Sequence, residues 1–294
     1  MSSSPTPASV LVTGASSGFG ALTVRTLARA GHTVFAALRA PNAHNAPAAQ
    51  ALADLAERER LRLHVLDLDV TSEASVEAAV QQAIETAGHL DVVVNNAGVL
   101  YTGPLEAFTL DQVTAQFDVN VFGVLRVYRA VLPHMRARRS GLLLQVGSIV
   151  GRIAFPFAGL YAASKFALEG LTEAARLELA DAGIDVAIVE PGTFRTSLAA
   201  KGVQAADDAR LAAYGEPAGQ QAPIAGRLRA AILNPDGPDP QQVAQAIAAL
   251  IAMPAGTRPL RTVVATPEQR QGAEILNAAS DQVIRAVMAR PTPA

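Results

Sequence analysis

Short runs of aliphatic and β-branched residues alternate with alanine-rich stretches along most of this chain. A parallel strand needs a crossover of a dozen or more residues to reach its neighbour, and that crossover is usually a helix. The alternation therefore predicts an α/β fold, in which a parallel sheet carries helices on both faces. Seven strands are expected, at 9–13, 33–38, 62–67, 91–95, 142–147, 185–190 and 261–265. Helices are expected at 18–30, 47–59, 72–86, 110–137, 157–182 and 240–252.

The domain organisation follows from the length and from one break in this pattern. A chain of 294 residues can form one large α/β domain, and the alternation predicts a single doubly wound domain over 9–290 with a seven-stranded parallel sheet. The pattern breaks over 193–240, where 201–210 is weakly helical and 234–240 is rich in turn residues. We interpret this insertion as a substrate lid, because ligands bind at the carboxyl ends of strands; the alternative is an ordinary surface excursion. Residues 1–8 and 291–294 are predicted to be disordered tails.

Composition and charge exclude several classes of function. The chain has no cysteine, so disulfides and thiol catalysis are ruled out and a cytoplasmic location is expected. Its 24 Lys and Arg against 26 Asp and Glu leave no basic footprint for a nucleic acid. The uncharged stretches are too interrupted for a signal peptide or a membrane span. The five histidines show no metal-ligand spacing, so we expect no metal site. Together these features lead us to expect no membrane and no nucleic-acid partner.

A glycine-rich turn, TGASSGFG at 13–20, joins the first predicted strand to the first predicted helix. The N-terminus of a helix presents unpaired N–H groups and the positive end of the dipole, which together favour an anion. The spacing G-x3-G-x-G differs from the usual G-x-G-x-x-G of dinucleotide sites, but its place between strand and helix favours phosphate binding over a purely structural turn. The residues expected to bind the cofactor here are Gly14, Ser16, Ser17, Gly18, Phe19 and Gly20.

The end of the second predicted strand bears on the choice of cofactor. NAD sites place an acidic residue there for the ribose 2′-hydroxyl, whereas NADP sites use an arginine for the 2′-phosphate. This strand ends at Leu38-Arg39, and no acidic residue precedes Asp54. Residues 1–53 therefore carry three arginines and no acid, a net charge of +3. We predict that Arg39 binds the 2′-phosphate and that NADP(H) is preferred, with NAD(H) possible; the alternative is a solvated surface arginine.

A tyrosine and a lysine stand four residues apart, at Tyr161 and Lys165, which places both on one face of a helix. A neighbouring cation stabilises a phenolate, so the pair is a plausible general acid–base unit. Chance also produces such pairs on helix surfaces. Ser148 strengthens the catalytic reading, because it follows the fifth predicted strand, where its hydroxyl can hold a substrate oxygen.

These motifs, in this order, resemble those of the short-chain dehydrogenase/reductase family. The matching elements are TGASSGFG at 13–20, Asp69-Val70, NNAG at 95–98, Asn120, Ser148, Tyr161 with Lys165, and Pro191-Gly192. The resemblance covers residues 10 to about 198 and implies a Rossmann fold, a nicotinamide cofactor and hydride transfer to or from a carbonyl carbon.

The resemblance also implies a role for each matching residue. Tyr161 would exchange a proton with the substrate oxygen, Ser148 would orient that oxygen, and Lys165 would lower the pKa of Tyr161 and bind the nicotinamide ribose. Asn120 would hold a water that connects Lys165 to solvent. Further cofactor contacts are implied for Asp69 and Val70 at the adenine, for Asn96, Ala97 and Gly98 at the adenosine ribose, and for Pro191, Gly192, Phe194 and Thr196 at the nicotinamide.

Two positions depart from the family pattern, and neither threatens catalysis. Gly147 stands where a serine often precedes the catalytic serine, which would leave a little more room. Ser197 follows Thr196 where a small acidic residue is common. Phe155, Phe157 and Leu160 lie between Ser148 and Tyr161 and would form either an apolar substrate wall or part of the core.

The leading interpretation is an NADPH-dependent carbonyl reductase, reversible as an alcohol dehydrogenase, with a hydrophobic ketone or secondary alcohol as its small-molecule substrate. The alternatives are a 3-oxoacyl or hydroxysteroid-type dehydrogenase that uses NAD(H), and a dinucleotide-binding regulator without catalysis. The helices at 110–137 and 157–182 resemble those that the family uses for subunit pairing, so a homodimer or homotetramer is expected.

Overall fold

The strands and helices follow the alternation in the sequence. The computed structural model describes residues 7–214, 230, 234 and 237–289. The strands are β1 (Ser9–Thr13), β2 (Thr33–Leu38), β3 (Leu63–Asp67), β4 (Val92–Asn95), β5 (Tyr101–Thr102), β6 (Gly141–Val146), β7 (Ile184–Pro191), β8 (Val203–Gln204) and β9 (Arg261–Val264). The α-helices are α1 (Gly18–Arg29), α2 (Ala46–Glu59), α3 (Glu73–Ala87), α4 (Leu110–Phe117), α5 (Gly123–Arg138), α6 (Gly159–Leu179), α7 (Ser197–Ala200), α8 (Asp208–Tyr214), α9 (Gln241–Ala252) and α10 (Pro267–Met288).

The main sheet has seven parallel strands in the order β3-β2-β1-β4-β6-β7-β9. The chain runs outward from β1 to β3 and then resumes on the other side of β1, so the strand order reverses between β1 and β4. Such a reversal opens a crevice at the carboxyl ends of the two strands, which is where open α/β sheets bind ligands. The predicted doubly wound fold is thus confirmed.

Both faces of the sheet are buried, which explains the continuous apolar runs in the strands. Successive residues point to opposite faces, so Val10 and Val12 pack with α1, α2 and α9. Leu11 packs on the other face with α3, α5 and α6. The two apolar layers fix the register of the sheet and hence the place of each residue that follows a strand.

Two of the expected helices differ from the sequence prediction. The helix expected at 110–137 is interrupted by a π-helical turn, Asp118–Phe122, which separates α4 from α5. The helix expected at 157–182 begins only at Gly159, and its last turn is a 3₁₀-helix, Ala180–Ala182. The weakly helical segment expected at 201–210 is wrong in part, because β8 lies there and α8 begins only at Asp208.

Four elements were not anticipated from the sequence: β5, β8, the short helix α7 and the last helix α10. The strands β5 and β8 form a separate two-stranded parallel sheet, which joins the segment after β4 to the start of the proposed lid. The helix α10 follows β9 and covers the edge of the main sheet with two buried residues, Ala273 and Asn277. The two strands have only two residues each, which is too short for a readable pattern.

The predicted tails and lid are described only in part. Ala8 already belongs to the folded chain, because its N–H donates to His32 Nδ1 at 3.0 Å and its carbonyl accepts from Thr33 N at 2.9 Å. Residues 1–6 and 290–294, and within the insertion 215–229, 231–233 and 235–236, lie outside the described residues. In the described part of the chain, no helix is long and apolar enough to cross a membrane.

Candidate active site

The carboxyl ends of the central strands surround a cavity of about 370 Å³. It opens at the point where the strand order reverses, between β1 and β4. The predicted site residues that line it are Gly14, Ser16, Ser17, Gly18, Phe19, Arg39, Asp69, Val70, Asn96, Ala97, Gly98, Tyr161, Lys165 and Thr196. The remaining predicted site residues do not line the cavity; they are Gly20, Asn120, Ser148, Pro191, Gly192 and Phe194.

The glycine-rich turn depends on close packing that excludes side chains. Gly14 has φ +67°, and a Cβ there would lie 2.7 Å from Ala97 Cα. A Cβ on Gly20 would lie 2.4 Å from both Asn96 Nδ2 and Gly14 O. The Asn96 amide donates to Thr13 O and Gly14 O at 2.8 and 3.1 Å, which ties the turn to the segment after β4.

The start of α1 is left free of side-chain caps. Ser17 occupies the N-cap position, yet its hydroxyl makes no capping hydrogen bond to the helix. It accepts instead from Ser197 Oγ at 2.9 Å and from Lys201 Nζ at 3.3 Å, both from the segment that follows β7. The first N–H groups of α1 thus remain available to an anion, as the sequence predicts.

Arg39 lines the cavity directly after β2, where the sequence places it. His44 and Asn45 line the same part of the cavity, and Asn45 Nδ2 donates to Arg39 O at 2.6 Å. An acidic residue, Asp67 at the end of β3, is in register with Leu38 at the end of β2. Its carboxylate accepts from Ala40 N at 3.0 Å and does not line the cavity that Arg39 lines.

The structure brings Ser148 and Tyr161 together. Ser148 follows β6, where its Oγ donates to Pro191 O at 3.4 Å and accepts from Val150 N at 3.3 Å. Tyr161 lies in the first turn of α6, and burial raises the pKa of its phenol to about 12, while a hydrogen bond with Ser148 lowers it. At neutral pH the phenol therefore carries its proton.

Lys165 lies one helical turn after Tyr161, with Nζ 5.7 Å from the centre of the phenol ring. Its ammonium donates to Val146 O at 2.8 Å, which fixes it against the end of β6. Burial lowers the pKa of Lys165 to about 8, and the charge of Glu169 opposes that shift. In this structure the largest influence on the Tyr161 pKa is burial, which raises it. The lowering of this pKa that the resemblance implies for Lys165 remains a prediction.

Asn120 lies in the π-helical turn between α4 and α5 and is buried. Its Oδ1 accepts from Val99 N at 2.9 Å, and its Nδ2 donates to Val99 O at 3.1 Å and to Ser164 Oγ at 3.0 Å. The side chain thus joins the segment after β4 to α6, one residue before Lys165. The water-holding role that the resemblance implies for Asn120 remains a prediction.

The segment after β7 is held against the cavity by packing and by backbone hydrogen bonds. Gly192 N donates to Val264 O at 2.8 Å, and a Cβ on Gly192 would lie 2.7 Å from Ala265 Cβ. Phe194 is buried and packs edge-to-face on Phe19 of the glycine-rich turn, with ring centres 5.6 Å apart. Pro191, Gly192 and Phe194 therefore position Thr196 at the cavity.

Gly147 is small for a reason other than room for the substrate. A Cβ there would lie 2.7 Å from Ile188 Cδ1 on the neighbouring strand, so the space that a serine would need is filled by the core. Leu160 is buried in a small apolar cluster with Phe108 and Ala205, which identifies it as core. Phe155 and Phe157 are half-buried, and Phe157 packs edge-to-face against Tyr214 of α8 at 6.2 Å.

Eleven of the residues that line the cavity were not among the predicted site residues. The polar ones among them are His44, Asn45, Ser197 and Lys201. His44 and Asn45 follow Arg39 closely, and their proximity to the end of β2 was a usable signal. Ser197 and Lys201 lie in the insertion, whose conformation no local pattern specifies. Over the described residues, no group of three acidic or histidine side chains could hold a metal ion.

A family model described as short chain dehydrogenase matches residues 8–207. This span is more than half of the 294 residues. The chain belongs to the short-chain dehydrogenase family. The motifs that the sequence shares with this family all lie in the matched span, and the structure gathers them around one cavity.

Two relatives each match about two thirds of this short-chain dehydrogenase. A 3-ketodihydrosphingosine reductase of Bacteroides thetaiotaomicron is 40% identical over 190 residues, which make up 65% of the chain and 65% of that protein. A 17-beta-hydroxysteroid dehydrogenase type 1 of Mus musculus is 41% identical over 200 residues, which make up 65% of the chain and 55% of that protein. The chain therefore spans less than two thirds of the length of these relatives.

Solved structures extend the similarity over nearly the whole chain. A short-chain dehydrogenase from Streptomyces avermitilis is 32% identical, with a TM-score of 0.75 and 96% of each chain covered. An alcohol dehydrogenase from Thermococcus sibiricus, complexed with 5-hydroxy-NADP, is 25% identical, with a TM-score of 0.68 and coverage of 87% of this chain and 95% of that one. The similarity confirms a Rossmann-like domain with helices on both sides of the sheet.

The residues around the cavity fit a nicotinamide dinucleotide. A Cβ on Gly18 would meet no atom nearer than Thr196 Cβ at 3.7 Å, so the backbone at the start of α1 is open to a ligand. Arg39 lines the cavity after β2, on one side of β1 in the sheet, whereas Lys165 contacts Val146 O of β6, on the other side. A molecule with an anionic middle and two nucleoside ends would meet a matching group at each position.

Proposed function

We propose that this short-chain dehydrogenase is an NADP(H)-dependent oxidoreductase that reduces a hydrophobic ketone and, in reverse, oxidises the corresponding secondary alcohol. The observation that carries the proposal is that the phenol of Tyr161 and the buried lysine Lys165, one helical turn later, both line the cavity at the end of β6, which Ser148 follows. A general acid, an orienting hydroxyl and a fixed cation are the protein groups that carbonyl reduction requires.

The division of roles follows from this geometry. The nicotinamide cofactor, when bound, supplies the hydride that reaches the carbonyl carbon. Ser148 holds the carbonyl oxygen beside Tyr161, and the Tyr161 hydroxyl gives that oxygen its proton. Lys165, held against Val146 O, places a positive charge beside the phenolate that remains and can reach the ribose of the nicotinamide. In the oxidative direction the same groups take the proton back.

Arg39 supports the preference for NADP(H). Its guanidinium lies at the cavity directly after β2, where a 2′-phosphate would be bound, while Asp67 is engaged with Ala40 N outside that cavity. NAD(H) use would need an acceptor for the 2′-hydroxyl at this place. Among the described cavity residues, Asp69 is the acidic one, and its Oδ1 accepts from Thr71 N at 2.9 Å.

The proposed substrate class rests on apolar side chains and on the relatives. Val99, Leu100 and Leu198 line the cavity, and Phe157 and Tyr214 pack together beside the lid. A 3-ketodihydrosphingosine reductase and a 17-beta-hydroxysteroid dehydrogenase are named for lipophilic substrates. We include in the proposal a lipid-like or steroid-like ketone as the substrate class. A cytoplasmic location, supported by the lack of cysteine, and a homo-oligomeric state are also proposed.

Tyr161→Phe tests the proposed function. It removes the proton donor, so we expect kcat/KM for ketone reduction to fall about 10²–10⁴-fold, while the Kd for NADPH changes little. A panel of lipophilic ketones and alcohols, followed by the absorbance of NADPH, gives the rates, and fluorescence titration gives the Kd. The control is Tyr101→Phe, a half-buried tyrosine that stacks on Phe108. Full activity in Tyr161→Phe, or an equal loss in the control, would contradict the assignment.

A further inference from the structure

Four carboxyl groups lie within 4 Å of the guanidinium of a buried arginine, Arg261. Arg261 on β9 has a side chain only 4% exposed. Its guanidinium lies 2.9 Å from Glu169 Oε2, 2.6 Å from Glu173 Oε2, 3.3 Å from Asp281 Oδ1 and 3.8 Å from Glu190 Oε1. Glu173 and Asp281 are partly exposed to solvent, whereas Glu169 and Glu190 lie inside. The inner two therefore need compensation from the protein itself.

The two inner carboxyls are each left with one oxygen unsatisfied. Glu190 is fully buried, and its Oε2 accepts from Asn277 Nδ2 at 2.5 Å. Glu169 Oε1 and Glu190 Oε1 have no hydrogen-bond partner among the residues that the structure describes. A buried oxygen without a partner is costly, and a proton placed between two carboxyls satisfies both oxygens at once. Burial and the charge of Glu169 raise the pKa of Glu190 to about 8, in agreement with such a proton.

Glu169 connects this pair to the catalytic lysine. It lies four residues after Lys165 on α6, and its charge opposes the effect of burial on the pKa of Lys165. The segment after Ser148 closes against both residues, since a Cβ on Gly151 would lie 3.0 Å from Lys165 O and 3.1 Å from Glu169 Cγ. Glu190 directly precedes Pro191, whose carbonyl accepts from Ser148 Oγ. The carboxyl pair thus borders the catalytic segments on two sides.

We propose that Glu169 is a positioning residue that keeps Lys165 charged, and that it can hold its own negative charge there because the neighbouring buried carboxyl of Glu190 carries a proton that the two groups share. This inference rests on the catalytic role proposed above for Lys165. The groups that face the pair are Lys165 and Glu173 on α6, Arg261 on β9, and Asn277 and Asp281 on α10.

The charges of these groups are consistent only with a partly protonated pair. Arg261 is already contacted by Glu173 and Asp281 in addition to the inner carboxyls. If both Glu169 and Glu190 were ionised, two like charges would lie side by side in a dry environment, each with an unsatisfied oxygen. With the shared proton, Glu169 is a single buried anion that pairs with Arg261 and favours the charge of Lys165, one helical turn before it.

The first test is the pH dependence of kcat/KM for the reductase reaction. In the wild type, activity should fall as the pH rises through about 8, where Lys165 loses its proton. Glu169→Gln removes the negative charge that favours the ammonium, so this fall should move to lower pH by about one unit. Glu190→Gln replaces a protonated carboxyl by a neutral amide and should leave the fall where it is in the wild type. Glu173→Gln, at the partly exposed edge of the cluster, is the matched control on α6.

The second test needs no activity and distinguishes the two proposals. Because the folded-state pKa of Glu190 is raised from 4.5 to about 8, the folded protein holds the proton more tightly than the unfolded chain, and stability is lost as the pH rises through this window. The Tm of the wild type should therefore fall between about pH 5 and pH 8, and Glu190→Gln should fall less. Glu173→Gln should follow the wild type.

Each outcome decides a specific statement. A Tm for Glu190→Gln far below the wild type at pH 6, or an unchanged dependence on pH, would overturn the shared proton. A pH profile of Glu169→Gln that coincides with the wild type would overturn the positioning role. If Glu169→Gln does not fold, the Tm of Glu190→Gln still decides whether the proton is shared. An inactive wild type with the expected Tm behaviour would defeat the proposed function and leave the proton-sharing pair standing.

Discussion

At the scale of single residues, burial sets the state of the catalytic tyrosine. The buried phenol of Tyr161 has a pKa raised to about 12, so it is a proton donor across the neutral range. A general acid must carry its proton when the substrate binds, which suits carbonyl reduction. In the oxidative direction, the nearby positive charge of Lys165 has to offset the cost of forming a buried phenolate. The protonated phenol therefore agrees with the proposed reduction near neutral pH.

Arg39→Ala tests the cofactor preference at this scale. Loss of a charged hydrogen-bond donor to a phosphate costs about 1.5–3 kcal/mol, so the Kd for NADPH should rise about 10–100-fold. The Kd for NADH should change little, because NADH has no 2′-phosphate. Fluorescence titration with each cofactor measures both values. Arg29→Ala is the control, since Arg29, at the end of α1, pairs with Glu59 on the surface and does not line the cavity. An unchanged ratio of the two Kd values in Arg39→Ala would refute the assignment.

Motif spacing located the residues that we propose do the chemistry, and tertiary packing determines the rest of the site. Ser148, Tyr161 and Lys165 are placed together because a strand end and one helical turn fix their positions. The sign of the Tyr161 pKa shift was not predictable, since it depends on burial by distant segments. The close approach of Ile188, on the adjacent strand, to Gly147 was not predictable either. Neither the burial of Tyr161 nor the packing of Ile188 against Gly147 can be recognised in the local sequence.

At the scale of elements, a π-helical turn places the side chain of Asn120 between the segment after β4 and α6. The turn inserts one extra residue between α4 and α5, which rotates Asn120 toward Val99 and Ser164. Periodicity alone predicts a continuous helix over 110–137, because a single inserted residue barely changes a 3.6-residue pattern. Such turns are frequent at functional sites, and this one holds the segment after β4 against α6.

Asn120→Ala tests the importance of this turn. It leaves the N–H of Val99 without an acceptor, which should lower the free energy of unfolding by about 1–3 kcal/mol. Because Ser164 and the adjoining Lys165 lose a fixed neighbour, kcat/KM should also fall. Urea unfolding gives the stability, and the reductase assay gives the rate. Thr114→Ala is the control on α4, where the hydroxyl donates to the carbonyl of Leu110 on the exposed surface. Wild-type stability and rate in Asn120→Ala would show that the π-turn is incidental.

The elements that sequence reasoning missed have weak local signals for physical reasons. Helix α10 buries little more than Ala273 and Asn277, so most of its apolar residues face outward and blur the helical period. The strands β5 and β8 have two residues each, far below the length at which alternation is readable. Both elements are specified by contacts with the rest of the domain.

At the scale of the whole molecule, the sheet could be predicted because its strands are buried on both faces. Seven continuous apolar runs separated by amphipathic helices have few other ways to be buried. The predicted strand ends agree with the structure to within one residue, as at Thr13 and Asn95. The order of the strands was not predicted, since alternation alone does not specify on which side of β1 the chain resumes.

The exposed apolar side chains of α5 and α6 indicate where subunits would pair. On α6, Phe166 and Leu177 are 45% and 44% exposed, and a Cβ on Gly170 between them would meet no atom within 4 Å. Phe122, at the end of the π-turn, and Leu125 on α5 are 45% and 37% exposed. The π-turn packs against α6, so these side chains belong to neighbouring elements. Such an apolar face fits the core of a subunit interface of about 800 Å² per partner.

Phe166→Glu tests this assembly. If two copies pair through α5 and α6, a buried carboxylate on each side of the two-fold axis should shift the protein toward the monomer. Size-exclusion chromatography with light scattering measures the mass in solution. Ile275→Glu on α10 is the control, because Ile275 is 64% exposed on a different surface. A wild-type protein that is already monomeric, or loss of assembly in Ile275→Glu instead of Phe166→Glu, would move the interface away from α6. The Tm of each variant excludes unfolding as the cause, since an exposed position tolerates a charge in the monomer.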